Sequence, residues 1–381
     1  MKRNRLFLGL ILLIPVQFVF GQAELPTDRR TPFLQIGAHF QAWRVQYEDY
    51  PVNQINAPIS LFLPIGDRFQ FQLSNTPAVS WVEQEQSITG PSDTWIQGSM
   101  IIGDNLGVIN LGLGAPTGNT ELDNNEFLIS QYLSRNLFRF GLPVYGQGLT
   151  VRAGALFAKK LSAQVIFGAG GQYVKRGSYK PVNYEIAYTV DNRNYSQTFS
   201  PEYQQGDEIS GQMGVDVLVN KNVKFMFDVM FTHYFRDLMD GEEVYGSGQK
   251  IVLKGSTYYR YNDKYLLAQI LYRHKGKNEI RQGLGFIEEA YHLNGYQCEI
   301  DFYGQYAAVE NAKLYALLDG RFYGKNEQGR NAASVIGGGI GIQYEATGGL
   351  IFDFRAKYMA GNLGDFLVEG IDFSMGVGFE L

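Results

Sequence analysis

At 381 residues and a formal net charge of -5, the chain is too weakly charged to point to nucleic acid or another strongly charged partner. Its single cysteine, Cys298, excludes an internal disulfide. Abundant glycine (45), tyrosine (25) and phenylalanine (26) against 12 prolines favour one large sheet over two soluble domains. The mean hydropathy of -0.17 does not exclude a membrane protein, because alternating strands average an apolar face with a polar one.

Lys2, Arg3 and Arg5 precede an apolar run, Leu6 to Phe20, of about fifteen residues. That is the length of a secretory signal and falls short of the roughly 20 residues a spanning helix needs. Val19 and Gly21 suit a cleavage site before Gln22, and no cysteine follows to carry a lipid anchor. Residues 1–21 are therefore expected to be a cleaved signal peptide, 22–32 a short periplasmic segment, and 33–381 one barrel domain.

From residue 33 onward the period is two. Leu34, Ile36, Ala38 and Phe40 alternate with Gln35, Gly37, His39 and Gln41. Phe69, Phe71 and Leu73, then Ile109, Leu111 and Leu113, then Val151, Ala153 and Phe157 repeat the rule, as do Met213 to Val219 and Phe225 to Phe231. Such segments have one apolar and one polar side. Tight polar links at Gly66-Asp67, Gly103 to Asn105, Lys159 to Ser162, Asn220 to Asn222, Asn262-Asp263, Glu310-Asn311 and Ala346 to Gly349 take turns with longer loops. The loops lie near 46–55, 81–92, 116–148, 175–207, 235–248, 274–293, 324–331 and 359–366. These links divide the chain into about 16 strands, or 14 if the thin segments 55–63 and 93–102 are not strands. The fold class is all-β, a closed antiparallel transmembrane β-barrel with short periplasmic turns and long extracellular loops.

Trp43, Trp81, Trp95, Tyr173, Tyr234, Tyr258, Tyr272, Tyr323 and Tyr358 fall near strand ends, where a headgroup-level girdle is expected. Cys298, between Tyr296 and Ile300, reads as a buried structural thiol. The face opposite the apolar one is almost uncharged in the first third, then carries Asp216, Asp228, Lys254, Arg260, Arg273, Glu299, Asp301, Asp319, Arg321, Asp353 and Arg355. Mixed signs suit a hydrated or ion-paired lumen better than a single-sign filter.

The long segment 116–148 holds the one convincing short helix. Leu128, Ile129, Tyr132, Leu133 and Leu137 share half of a helical circumference, with Asp123 or Asn124 as N-cap. Two placements fit: folded into the barrel mouth as a constriction, or out over the surface. Chemistry is scarce. His39, His233, His274 and His292 are widely spaced and form no metal-ligand motif, so no catalytic residue, metal or cofactor is expected and the chain does not read as an enzyme. Gly337, Gly338, Gly339 and Gly341 sit in an alternating strand and not in a nucleotide loop.

The last strand, Ile371 to Leu381, alternates to its end and reads as the segment that closes the barrel and meets the barrel insertion machinery of a Gram-negative outer membrane. With Gly114-Ala115-Pro116-Thr117-Gly118 leading into the helical loop, it makes the chain resemble the FadL-like family of long-chain fatty-acid and aromatic-hydrocarbon transporters. The resemblance implies passive uptake of a small hydrophobic solute. It departs from the family at Leu381, where an aromatic is usual, and in having only Gln22 to Thr31 before the first strand, too few for an N-terminal plug. Leu128, Tyr132, Leu133 and Phe138 are the expected first contacts of the solute, and Gln35, His39, Gln72 and Arg152 the expected wall below. The rival reading is a structural component of a secretion or surface-attachment assembly, with loops 175–207 and 274–293 as its binding surface.

Overall fold

The computed structural model describes residues 31–46, 51–82, 87–103, 106–190, 193–262, 264–309, 311–329 and 332–381. The expected signal peptide and residues 22–30 lie outside the described residues. Sixteen antiparallel strands form one closed barrel. They are β1 (Phe33–Val45), β2 (Val52–Asn56 and Ile59–Ile65), β3 (Phe69–Asn75 and Ala78–Trp81), β4 (Ser87–Gly90 and Thr94–Ile102) and β5 (Gly107–Ala115). After the long segment come β6 (Thr150–Lys160), β7 (Val165–Arg176), β8 (Glu208–Leu218), β9 (Val223–Tyr234), β10 (Lys250–Tyr261) and β11 (Lys264–Lys275). The last five are β12 (Gln297–Val309), β13 (Ala312–Tyr323), β14 (Ala333–Ala346), β15 (Leu350–Leu363) and β16 (Phe366–Glu380). β16 pairs with β1 from Glu380↔Phe33 to Val368↔Val45, so the sheet has no free edge.

The two thin segments are strands, which decides for 16. Their thinness has a cause. β2 breaks at Pro58, β3 at Pro77 and β4 at Pro91, because proline cannot donate to the ladder. Single backbone bonds carry the sheet past the breaks: Gly37 to Pro58 O (2.9 Å), Ala57 to Pro77 O (2.8 Å) and Ser92 to Thr76 O (3.0 Å).

Three expected loops are shorter than the sequence suggested. Residues 52–56 and 87–90 are paired strands, and β15 runs to Leu363 and turns at once into Phe366. Gly364, at φ 63°, makes that turn possible, since a left-handed φ costs glycine nothing. The other long connections are real. Ser178–Tyr179, Tyr203–Gln204, Arg236–Met239, Glu242–Gly246, Glu279–Gln282 and Gly285–Glu288 build a six-stranded sheet in the connections that follow β7, β9 and β11.

Alternation fixes which side chain faces where. Phe373 and Met375 are 49% and 53% exposed, while Ser374 between them is buried. Ile36, Leu111, Phe227, Ile270 and Ile340 continue the outer belt around the barrel. Among the described residues no second protein layer covers it, and hydrocarbon is the medium in which such a belt is stable. Replacing Ile270 by arginine is expected to cost about 2–4 kcal/mol, the penalty for a cation at midplane. Gln269→Arg, one residue away but inward and cross-paired with Asp301, is expected to be tolerated. Urea unfolding of the two variants in lipid vesicles checks the parity; equal losses would contradict it.

Parity also corrects the aromatic girdle. Trp43, Trp95, Tyr234, Tyr258 and Tyr323 share inward register with His39, Gln97, Thr232, Ser256 and Arg321, so they face the lumen, whereas Tyr173, Tyr272 and Tyr358 face outward. Cys298 lies outward beside Ile300 and is half-exposed, not buried, because its face meets lipid instead of protein.

Candidate functional site

The densest apolar packing lies inside the barrel, at the end with the long connections. The connection 116–149 carries α1 (Asn124–Leu133). Asp123 is the N-cap: its carboxylate accepts from Glu126 N (2.9 Å), and Glu126 accepts in return from Asp123 N (3.0 Å). Such a cap contributes about 1 kcal/mol. Burial contributes far more. Ile129, Leu133, Leu137, Phe138, Phe140, Leu142 and Tyr145 are each at most 5% exposed, and each apolar side chain removed from water adds about 1.5–3 kcal/mol. They pack against inward-facing Trp43, Val45, Val52, Ile88, Val335, Met359 and Val368. Phe138 sits between Trp43 (ring centroids 5.2 Å) and Phe140 (6.0 Å). The segment is therefore folded into the mouth.

Polar groups on the wall fix its path. On β1, Gln41 donates to Arg139 O (3.1 Å) and accepts from Gly141 N (2.7 Å). On β2, Gln54 repeats the pattern with Leu142 O (2.8 Å) and Leu142 N (2.7 Å). A side-chain amide matches a peptide group in both donor and acceptor, which is why two buried glutamines can hold an irregular backbone. Tyr145 donates its hydroxyl to Ile88 O (3.0 Å). Burial lifts this phenol to about 12, so the hydroxyl keeps its proton. At the stems one carboxylate grips both ends: Asp93 accepts from Gly118 N (3.0 Å) and Gln147 N (2.8 Å). Gly118 must be glycine, since a Cβ there would run into Tyr145 O.

Arg139 carries the segment to β12 and β13. Its guanidinium pairs with Glu299 and lies 3.3 Å from both Asp301 and Asp319. Burial opposes its charge, but the carboxylates of Asp319, Glu299 and Asp301 outweigh that cost and raise its pKa above the ordinary arginine range. Arg139 also holds a left-handed φ of 48°, an unfavourable backbone state that the surrounding bonds maintain. Arg321 donates to Leu137 O and bonds Asp319 at 2.8 and 2.9 Å.

The residues singled out from sequence divide into groups. Leu133 and Phe138 are buried in the docked segment, Tyr132 packs beside them, and Leu128 is 54% exposed. His39 joins the network directly: Asn56 Nδ2 lies 3.2 Å from Nδ1, and Nε2 lies 2.8 Å from Asp372 Oδ1. With Asn56 as donor, Nε2 carries the proton toward Asp372. Gln35 and Gln72 face inward nearer the short turns. Arg152 lies 4.5 Å above the Trp95 ring. Gln41 had been read only as one of the polar positions of β1, and Asp93, Gln54 and Arg139 had not been singled out. Of these three only Arg139 left a mark in the sequence, as the lone cation within Leu137-Phe138-Arg139-Phe140-Gly141-Leu142.

A cavity of about 340 Å³ adjoins the segment, lined by Arg139, Gln269, Arg273, Asp301, Arg355 and Lys357 among others. A larger concavity of about 1070 Å³ lies on the outer face, along Phe40, Ile340, Phe354, Phe373 and Met375, and belongs to the lipid-facing belt. Among the described residues no cluster of three or more histidine, cysteine or acidic side chains is placed to hold a metal. His274 and His292 stack on each other (5.5 Å).

No protein-family model and no curated protein matches the sequence. Solved structures of similar architecture include a TodX deltaS2S3 mutant, a monoaromatic hydrocarbon channel (9% identity, TM-score 0.43, covering 92% of this chain and 91% of that one). Another is the monoaromatic hydrocarbon channel CymD (11%, 0.41, 92% and 88%), and a third a bacterial polysaccharide outer membrane secretin (9%, 0.48, 92% and 98%). This is the loose likeness to outer-membrane transport barrels that the sequence led us to expect. It carries no argument about what passes through this one.

Proposed function

We propose that the protein is an outer-membrane channel for passive uptake of a small solute, exported by a cleaved signal peptide, with the 116–149 segment as its constriction. One observation carries the reading: the segment lies within the lumen and is bonded to β1, β2, β4, β12 and β13 by inward-facing side chains and one strand carbonyl. A surface loop has no use for such anchorage. The outer belt calls for a bilayer, and the short turns on one end and long connections on the other match the periplasmic and extracellular sides of an outer-membrane barrel. β16, with Phe373 and Phe379 outward, is the strand we assign to the insertion machinery. Passive movement along such a lumen requires no cofactor.

The proposal is tested by replacing residues 120–145 with a short glycine-serine linker, which keeps Gly118 and Gln147 on Asp93. Single-channel conductance in planar bilayers is expected to rise several-fold over that of the intact protein. An intact protein that already conducts widely, or a shortened one that conducts no more, would refute the constriction.

A further inference from the structure

Charge is distributed unevenly around the upper lumen. Around β11–β15 the signs are matched: Arg273 pairs with Glu299, Arg321 with Asp319 (2.8 Å), Lys357 with Asp319 (3.1 Å) and Arg355 with Asp353 (3.3 Å). Around β6–β11 they are matched only away from the rim, where Lys224 pairs with Asp216 (2.7 Å) and Lys254 stands opposite Asp228. At the long-connection rim Arg152, Arg176, Lys250 and Lys275 all face inward, and among the described residues the strand ends there supply one inward carboxylate, Glu208, which pairs with Arg176. Lys250 and Lys275 are direct cross-strand partners, a like-charge pairing that destabilises a sheet unless something else meets the charges. Both ammonium groups lie over the one Tyr234 ring, at 5.6 and 6.0 Å. Lys275 bonds the Ser247 hydroxyl (3.3 Å), which is neutral. Among the described residues the Nε atoms of Arg152 and Arg176, like that of Arg355 on β15, are buried without a hydrogen-bond partner.

The rim carboxylates nearby are engaged elsewhere. Asp207 accepts from Arg176 N and the Tyr173 hydroxyl, Asp237 from Gly206 N and the Tyr203 hydroxyl, and Glu289 from Asn278. The tip of the docked segment, residues 136–145, makes its hydrogen bonds to β1–β4 and β12–β13, and among the described residues the segment meets the arc at one point, where Arg176 donates to Gln147 (3.2 Å). Inward direction removes lipid headgroups from the list of partners. We infer that this arc is a recognition site for small organic carboxylates. The inference rests on the channel reading and names its solute class: four cations, two of them held against each other, meet an oxyanion brought by the solute, while Tyr234 and Trp95 offer apolar surface to its body.

The probe is benzoate, titrated calorimetrically into the folded, detergent-solubilised barrel, with gel heat-modifiability as the check on folding. Lys250→Gln with Lys275→Gln relieves repulsion and leaves the barrel folded; benzoate binding is expected to weaken about tenfold or more. Lys250→Glu is expected to lower the chloride-over-potassium preference in bilayers. Absent benzoate binding, binding that the double variant retains in full, or a cation preference in the unmodified protein would overturn the site. Silence of the shortened protein in bilayers with benzoate binding intact would count against the channel alone.

Discussion

Arg139→Ala is expected to open the barrel and to loosen it in one step. The substitution strips the facing cation from Asp301, while Asp319 keeps Arg321 and Lys357, and Glu299 keeps Arg273 and the Tyr323 hydroxyl (3.0 Å). Removing one member of a buried ion pair costs about 3–5 kcal/mol because the remaining charge stays in a poor solvent. The Arg139 side chain is 26% exposed and Glu299 has a second cation, so the low end of that range is expected. Conductance is expected to rise in the same variant, since the segment loses its ion pairs to β12 and β13 and keeps there the hydrogen bonds of Asn136 to Gln297 and of Leu137 O to Arg321. Arg139→Lys separates charge from shape: it restores one positive charge without the planar fork that reaches three carboxylates, and recovery is expected to be partial. Urea unfolding and bilayer recordings on the same preparations check this. An unchanged midpoint together with unchanged conductance would show that the ion cluster does not hold the segment.

Phe138→Ala attacks the same docking from the apolar side. The ring is fully buried between Trp43 and Phe140, and truncating a buried phenylalanine costs about 3–5 kcal/mol through lost burial and the cavity left behind. The barrel ladders do not involve this residue, so the loss falls on the segment. Proteolytic nicking within 116–149 is expected at enzyme levels that spare the unmodified protein, and emission from Trp43 is expected to shift to the red as water enters. Phe138→Leu, which refills most of the volume, is expected to restore protection. Cleavage equal to that of the unmodified protein would mean that the hydrogen bonds of Gln41 and Gln54 suffice alone.

Much of the barrel could be read before any coordinates. A strand assigns each side chain to a face by counting, so Asp228, Glu299, Asp319 and Arg355 could be placed in the lumen from their apolar neighbours alone. The same counting misled where an aromatic girdle was sought by position along the chain, because nearness to a strand end does not say which way Trp43 or Tyr234 points. Strand ends were the weakest reading. Residues 359–366 carry the polar, glycine-rich look of a loop, yet pairing with β14 and β16 keeps all but the turn residues Gly364 and Asp365 in the ladder, since ladder bonds are available to any residue whose neighbour strand extends that far.

Alternation, the spacing of turns and the bias of the polar face determined the fold class, the closed wall and the sign of each charge in the lumen. The tertiary structure alone decided that the helical segment lies inside the mouth, that Asp93 clasps both its stems, that Arg139 meets three carboxylates, and that Lys250 stands opposite Lys275. Each of those depends on register and on contacts between residues 25 to 180 positions apart. A local period fixes orientation within a strand, but it holds no information about which distant partner closure of the sheet will bring into reach.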